Sequence, residues 1–360
     1  MLVRFQYSVV LVLCALAVSS CATARPSAAP GSELLVEQFL ETSGLSGLAV
    51  TVGTTDRIIW SQGFGYADLE QNVPIDPALT KFRVGSTAKS MTAVAMGQLY
   101  EAGKLDLDAP IQKYLTTFPQ KSGAITSRLL AGHLAGIRHY DGIEEFLSDV
   151  PYESVIDALD IFADDPLEFP PGTEFGYSTY GFNLLSAVLE RAAGESFLDY
   201  MAEYVFAPAG MASTVPDFVY PLIPHRSRYY EIDDGVILNA LWVDNSNKWA
   251  GGGFLSTSED LVRFGQAHFS DALLRPETIE MMWTSQKTTS GEETGYGMGW
   301  FVTTDDAGRR LIRHSGGSVG GVTELRIYPD DDLVIALITN TDPANFRTLA
   351  PQIAALFLAE

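Results

Sequence analysis

Apolar residues recur at helical spacing after Ser86: Met91, Val94, Ala95 and Leu99 fall on one stripe, and Gly103 follows as a stop. That pattern predicts an amphipathic helix over 86–102. An earlier helix is expected from Ser32, as its cap, to Gly44. Two β-rich segments, Gly47–Gly53 and Arg57–Tyr66, are separated by a tight turn and predict a hairpin. The middle third reads as mostly helical, at Tyr152–Ala163, Tyr180–Ala193 (closed by Gly194) and Ser196–Phe206. Two further helices are expected at Ser258–His268 and Pro276–Thr284, the second with proline in its first turn. Strand patterns return at Gly297–Thr304, Arg309–His314, Gly321–Tyr328 and Leu333–Thr339, before a last apolar helix at about Ala344–Leu358. Strands at both ends with helices between them predict an α+β fold. One antiparallel sheet would be assembled from about 32–80 and 255–360, with a helical region at about 81–254 inserted and a cleft between the lobes. The Ser86 helix would lie at their boundary.

The chain's 360 residues, 46% hydrophobic, are enough for a substantial core in one large domain or two modest ones. Its 45 acidic and 23 basic residues give a formal charge of −22, which repels phosphate backbones and excludes nucleic acid as a natural partner. The start of the chain has a different character. Arg4 precedes an apolar run from Val9 to Val18, and Ser19 and Ser20 lead to Cys21, the pattern of a secretory signal over residues 1–21. The run Val18-Ser19-Ser20-Cys21 also resembles the bacterial lipobox, which implies lipidation of Cys21 and a periplasmic or cell-surface protein held on a membrane. The plainer alternative is an ordinary signal with a chance cysteine. Cys14, the one other cysteine, lies inside the apolar run, so the mature chain has no pair to oxidise. Residues 22–31 then form a short tether to a domain spanning 32–360.

Serine is a weak nucleophile at neutral pH and needs a base and a stabilised oxyanion to attack a carbonyl. Ser86 and Lys89, three residues apart, share a helix face, and a helix N-terminus at Ser86 favours developing negative charge. Burial would lower the lysine pKa and make a neutral amine available. The same spacing also fits a helix cap followed by a surface lysine. Two further strings change the weight of the pair: "PPGTEFGYSTYGFNLL" places Tyr177 on a turn before a helix, and "RRLIRHSGGSVGG" places His314-Ser315-Gly316 on a strand.

Together these strings resemble the serine penicillin-recognising enzymes, the group of class C β-lactamases, D,D-peptidases and related esterases. "HLAGIRHY" at His133–Tyr140, "AGGGFLSTSEDLVRF" at Ala250–Phe264 and "GYGMGWFV" at Gly295–Val302 extend the likeness over nearly the whole mature chain. Within the group the strings look most like the branch of mitochondrial serine β-lactamase-like proteins and their bacterial relatives. The resemblance implies a β-lactamase/transpeptidase-like fold, Ser86 as the acylated nucleophile, Lys89 as its base and Tyr177 as a proton shuttle. It implies His314 in the place of the group's strand lysine or histidine, an oxyanion hole from the amides of Ser86 and Gly317, and substrate contacts from Thr179, Ser315 and Gly316. Two departures stand out. The usual Tyr-x-Asn triplet is Tyr177-Ser178-Thr179, and the strand lysine is His314, whose ordinary pKa of about 6.5 leaves it mostly neutral at pH 7.

The expected activity is therefore hydrolysis of a peptide-like amide or an ester through an acyl-enzyme, without a metal or organic cofactor. A β-lactamase or D,D-carboxypeptidase is the nearer alternative, and a non-catalytic, membrane-tethered scaffold or binding protein the more distant one. Self-association is also open. Gly316–Gly320 matches GxSxG formally, but a strand-like segment follows it where a nucleophile elbow leads into a helix, and no histidine lies beyond His314. The five histidines have no zinc-ligand spacing, and His133 and His139 read as hydrogen-bonding residues of a turn. "AGGGFLST" lacks the Lys-Ser/Thr of a phosphate loop, so close backbone packing explains its glycines better.

Overall fold

The computed structural model describes residues 28–358; the secretory signal and Cys21 lie outside them. The fold is α+β, as expected. Seven strands form an antiparallel sheet in the order Val73–Pro74, Ile58–Asp68, Gly47–Gly53, Leu333–Thr339, Gly321–Tyr328, Arg310–Ser318, Phe301–Thr304. The seam between the two ends of the chain runs through its centre, where Leu48 pairs with Thr339 and Val50 with Leu337.

Every residue of Gly47–Gly53 and of Leu333–Thr339 is buried, because both faces of the sheet are covered. Leu48, Val50, Ile335 and Leu337 pack against the terminal helices Ser32–Ser43 and Leu349–Leu358, in a cluster with Val36 and Ile353. The alternate residues Ala49, Val334, Ala336 and Ile338 face Leu261 and Phe264 of the Ser258–Gln266 helix and the larger core that continues into the helical lobe. Among the described residues no helix is long and apolar enough to cross a membrane.

Several elements differ from expectation. The Ser86 stretch begins as a 3-10 turn at Gly85–Thr87 and continues as the Ala88–Glu101 helix. This helix is buried from Ala88 to Gly97 on all sides rather than along one stripe. Its polar side chains are absorbed one by one: Ser90 donates to Gly299 O at 2.7 Å and Thr92 to Ala250 O at 2.9 Å. Tyr152–Ala163 contains only a 3-10 segment, Asp157–Ile161. Ser196–Phe206 is a short α-turn, Phe197–Tyr200, running into a π-helix at Met201–Phe206. A hairpin at Tyr230–Asp233 and Val236–Asn239 was not foreseen. Gly31, not Ser32, occupies the first helix's cap position.

Candidate active site

Three elements meet at the lobe boundary. Gly316 lets the Arg310–Ser318 strand press against the Gly85–Thr87 turn: a Cβ there would sit 2.0 Å from Val84 O and 2.8 Å from Ser86 N. Gly317 lies on the opposite, open side of the strand, where a Cβ would meet nothing within 4 Å. A Cβ on Gly85 would fall 2.7 Å from Gly317 N, so the two expected oxyanion donors belong to neighbouring backbone segments.

Ser86 is half-buried, and Lys89 one turn later is fully enclosed. Lys89 Nζ lies 3.0 Å from Ser86 Oγ, 3.1 Å from Thr179 Oγ1 and 2.7 Å from Gly251 O. All three partners are neutral. Burial therefore dominates and holds the lysine well below its ordinary pKa, with the positive charge of Lys248 acting the same way. In the uncharged amine, two N–H groups can satisfy Gly251 and Thr179, which leaves the nitrogen lone pair for the Ser86 hydroxyl. Lys248 is itself buried, and its ammonium donates to Phe146 O at 2.7 Å; desolvation first, then the charge of Arg83, lowers it to about 7.

Tyr177 arrives on the turn ahead of a second helix of the inserted region. Ser178 after it caps the Thr179–Ala193 helix, its Oγ accepting from Gly181 N at 2.9 Å, so the phenol is carried just outside a helix start. Lys89 Nζ stands 4.9 Å from the Tyr177 ring centroid. Burial raises the phenol's pKa, and a hydrogen bond with Ser86 opposes that rise. Ser86, Lys89 and Tyr177 are thus brought into one cluster.

The remaining sequence-predicted residues fall into different places. Thr179 is 2% exposed; its hydroxyl accepts from Lys89 and also shares a hydrogen bond with Tyr140. It supports the lysine rather than lining open space. Gly316 is likewise a buried spacer, whereas Ser315 and Gly317 are exposed on the open side of the strand. His314 is wholly buried, and both ring nitrogens are engaged. Its Nδ1–H donates to Ser315 O at 2.7 Å, and its Nε2 accepts from the Tyr296 hydroxyl at 3.0 Å. Desolvation, helped by the charge on Lys89, pushes it down to about 3, so it stays neutral and has no nitrogen free for a substrate. Ser318 of the GxSxG match is buried and faces Gly321 across a strand-to-strand turn, not a helix start. Among the described residues no cluster of histidine, cysteine or carboxylate could hold a metal.

The Gly251 carbonyl, which fixes Lys89, escaped the sequence reading because a main-chain acceptor leaves no residue-type signature. The glycine itself was visible: a Cβ at Gly251 would lie 2.4 Å from Thr179 Cγ2, so the close approach requires it.

Comparison with known proteins places this geometry. The family model described as Beta-lactamase matches residues 33–358. The mitochondrial serine beta-lactamase-like protein LACTB is 32% identical in Mus musculus, covering 95% of this chain and 84% of that protein, and 31% identical in Homo sapiens, covering 94% and 81%. Among solved structures, the octameric penicillin-binding protein homologue from Pyrococcus abyssi superposes with a TM-score of 0.79 at 23% identity, over 91% of this chain and 77% of that one. The penicillin-binding protein from Bacillus halodurans gives 0.75 at 26% identity, over 89% and 98%. A Ser86–Lys89–Tyr177 cluster between a two-ended sheet and an inserted helical lobe, with a family match spanning both, shows that the chain belongs to the Beta-lactamase family.

Proposed function

We propose that the protein is a serine hydrolase that cleaves amide or ester bonds through an acyl-enzyme on Ser86. The observation that carries this reading is the enclosed, uncharged-partnered amine of Lys89, 3.0 Å from the Ser86 hydroxyl. The lysine takes the hydroxyl proton as the oxygen bonds to the substrate carbonyl carbon, and the carbonyl oxygen becomes an oxyanion facing the Ser86 and Gly317 amides. Collapse breaks the bond to the leaving group, which receives a proton through the Tyr177 phenol. Water then attacks the acyl-enzyme, gives up its proton along the same route, and releases the acid with Ser86 restored.

Amide or ester substrates are favoured over penicillins by two features of the site. The Thr179 hydroxyl is committed to Lys89, and His314 is held neutral with both nitrogens occupied, so neither supplies a group for a β-lactam side chain or carboxylate. The test is labelling by a fluorophosphonate probe, together with turnover of p-nitrophenyl esters, aminoacyl amides, D-Ala-D-Ala peptides and nitrocefin. Wild-type protein is expected to be labelled and Ser86→Ala to be inert, with an ester or amide turned over faster than nitrocefin. Folded wild-type protein that takes no label would leave the scaffold reading in its place.

A further inference from the structure

Tyr177 is held from behind by the segment 133–139, and it is held through backbone amides. Gly176 N, just before the tyrosine, donates to His133 O at 2.9 Å. Ser178 N, just after it, donates to the His133 ring at Nδ1, 3.1 Å away, and Thr179 N donates to the His139 ring at Nδ1, also 3.1 Å. The Ser178 hydroxyl donates to Arg138 O at 2.6 Å. The His133 ring also packs on the phenol, with centroids 4.2 Å apart, and the His139 ring meets it edge-on at 5.9 Å. His133 brackets the tyrosine with its carbonyl on one side and its imidazole on the other, from a left-handed backbone conformation with φ 58°.

We infer that His133 and His139 are positioning residues for Tyr177: two imidazole acceptors that fix the two amides following it and so aim its phenol at Ser86. Each ring must be neutral and carry its proton on Nε2, since an Nδ1–H or an imidazolium has no lone pair for the amide. Burial keeps both rings neutral, and the amide at Nδ1 alone selects the tautomer of His133, whose Nε2 is buried without a hydrogen-bond partner. His133 is 2% exposed and burial holds it well below the ordinary histidine value, while desolvation and then the charge of Lys89 bring His139 to about 4 against the opposing pull of Glu145. The acceptors act through the main chain, so they orient the phenol without touching substrate.

This assignment rests on the role proposed for Tyr177, and the experiment separates the two. Asparagine places its side-chain oxygen near the position of Nδ1, whereas leucine keeps bulk and offers no acceptor. His139→Leu is expected to lower kcat for an ester, and the rate of fluorophosphonate labelling, about tenfold with KM little changed, the loss of one net hydrogen bond of ~1–1.5 kcal/mol from the productive orientation. His139→Asn is expected to keep at least a third of wild-type activity, roughly, because that bond is retained. His133→Asn, which suits the left-handed backbone, should behave in the same way. A His139→Leu protein with unchanged melting temperature and wild-type rates overturns the inference, as does an asparagine variant as impaired as leucine. If the wild-type protein is not labelled, the proposed function fails first, and ¹⁵N NMR of the five histidines decides the acceptor geometry alone. Two rings with Nε2–H and a hydrogen-bonded Nδ1 uphold it, and Nδ1–H in either ring refutes it.

Discussion

At the scale of single residues the site is a compromise between stability and chemistry, and Lys89 shows it most clearly. An amine whose folded pKa lies below its unfolded value makes folding less favourable as pH falls below about 10.5, by ~1.4 kcal/mol per pH unit until the folded pKa is reached. Near neutral pH the enclosed lysine is therefore a net liability to the fold. Lys89→Met, similar in volume and free of that penalty, is expected to raise the melting temperature by several degrees while lowering turnover about 10²–10⁴-fold, the usual worth of a general base. Differential scanning fluorimetry beside ester kinetics checks both halves; a variant that melts lower would mean that the hydrogen bonds Lys89 gives to Gly251 O and Thr179 outweigh its burial penalty. The strings holding Ser86, Lys89 and Tyr177 were legible in the sequence because the cluster is written in side-chain types at fixed spacing. The supports of that cluster were not legible: the Gly251 carbonyl and the Gly176 and Ser178 amides are main-chain groups, and the hydroxyl of Thr179 turned inward to the lysine where a substrate contact was expected.

At the scale of elements, the contact between the Arg310–Ser318 strand and the Ser86 turn is set by the absence of a side chain at Gly316. A methyl there meets Val84 O and Ser86 N, both backbone, so the strand must move away. Gly316→Ala is expected to cost about 1–3 kcal/mol as an overpacked contact and to slow Ser86 labelling about 10²-fold through the displaced oxyanion donors. Labelling at the wild-type rate would show that those amides do not define the reaction centre. Strands covered on both faces, such as Gly47–Gly53 and Leu333–Thr339, announced themselves as continuous apolar runs and were read with their observed bounds. The expected helix at Tyr152–Ala163 gave way to a 3-10 segment in a stretch of loops partly tied down by Arg138, whose guanidinium grips Glu145 and Asp165 and also reaches Ile161 O. Such long-range ion pairs leave no local pattern. The hairpin at Tyr230–Asp233 and Val236–Asn239 did carry a local sign: Asp234 and Gly235 both adopt positive φ, the Asp-Gly turn that closes two-residue hairpins.

For the whole molecule, the family followed from the resemblance carried by the motif strings, and the antiparallel sheet shared by the two ends of the chain from the strand patterns there. Export and anchoring rest on the first 21 residues, and we propose that Cys21 carries the lipid. In a bacterial host fed labelled palmitate, wild-type protein is expected to incorporate label and sediment with membranes, and Cys21→Ser to be unlabelled and soluble after osmotic shock. Label retained by the variant, or absent from the wild type, would remove the anchor.

The pairing of Leu48 with Thr339 also sets a timetable for synthesis. A ribosome delivers Gly47–Gly53 early and Leu333–Thr339 close to the end, so the seam cannot zip until nearly all the chain has emerged. At ~5–20 residues per second, that leaves the early hairpin's inner edge without its mate for roughly 15–60 s. Over that interval the nascent polypeptide must be shielded from its neighbours, since a bare edge templates pairing with any other chain.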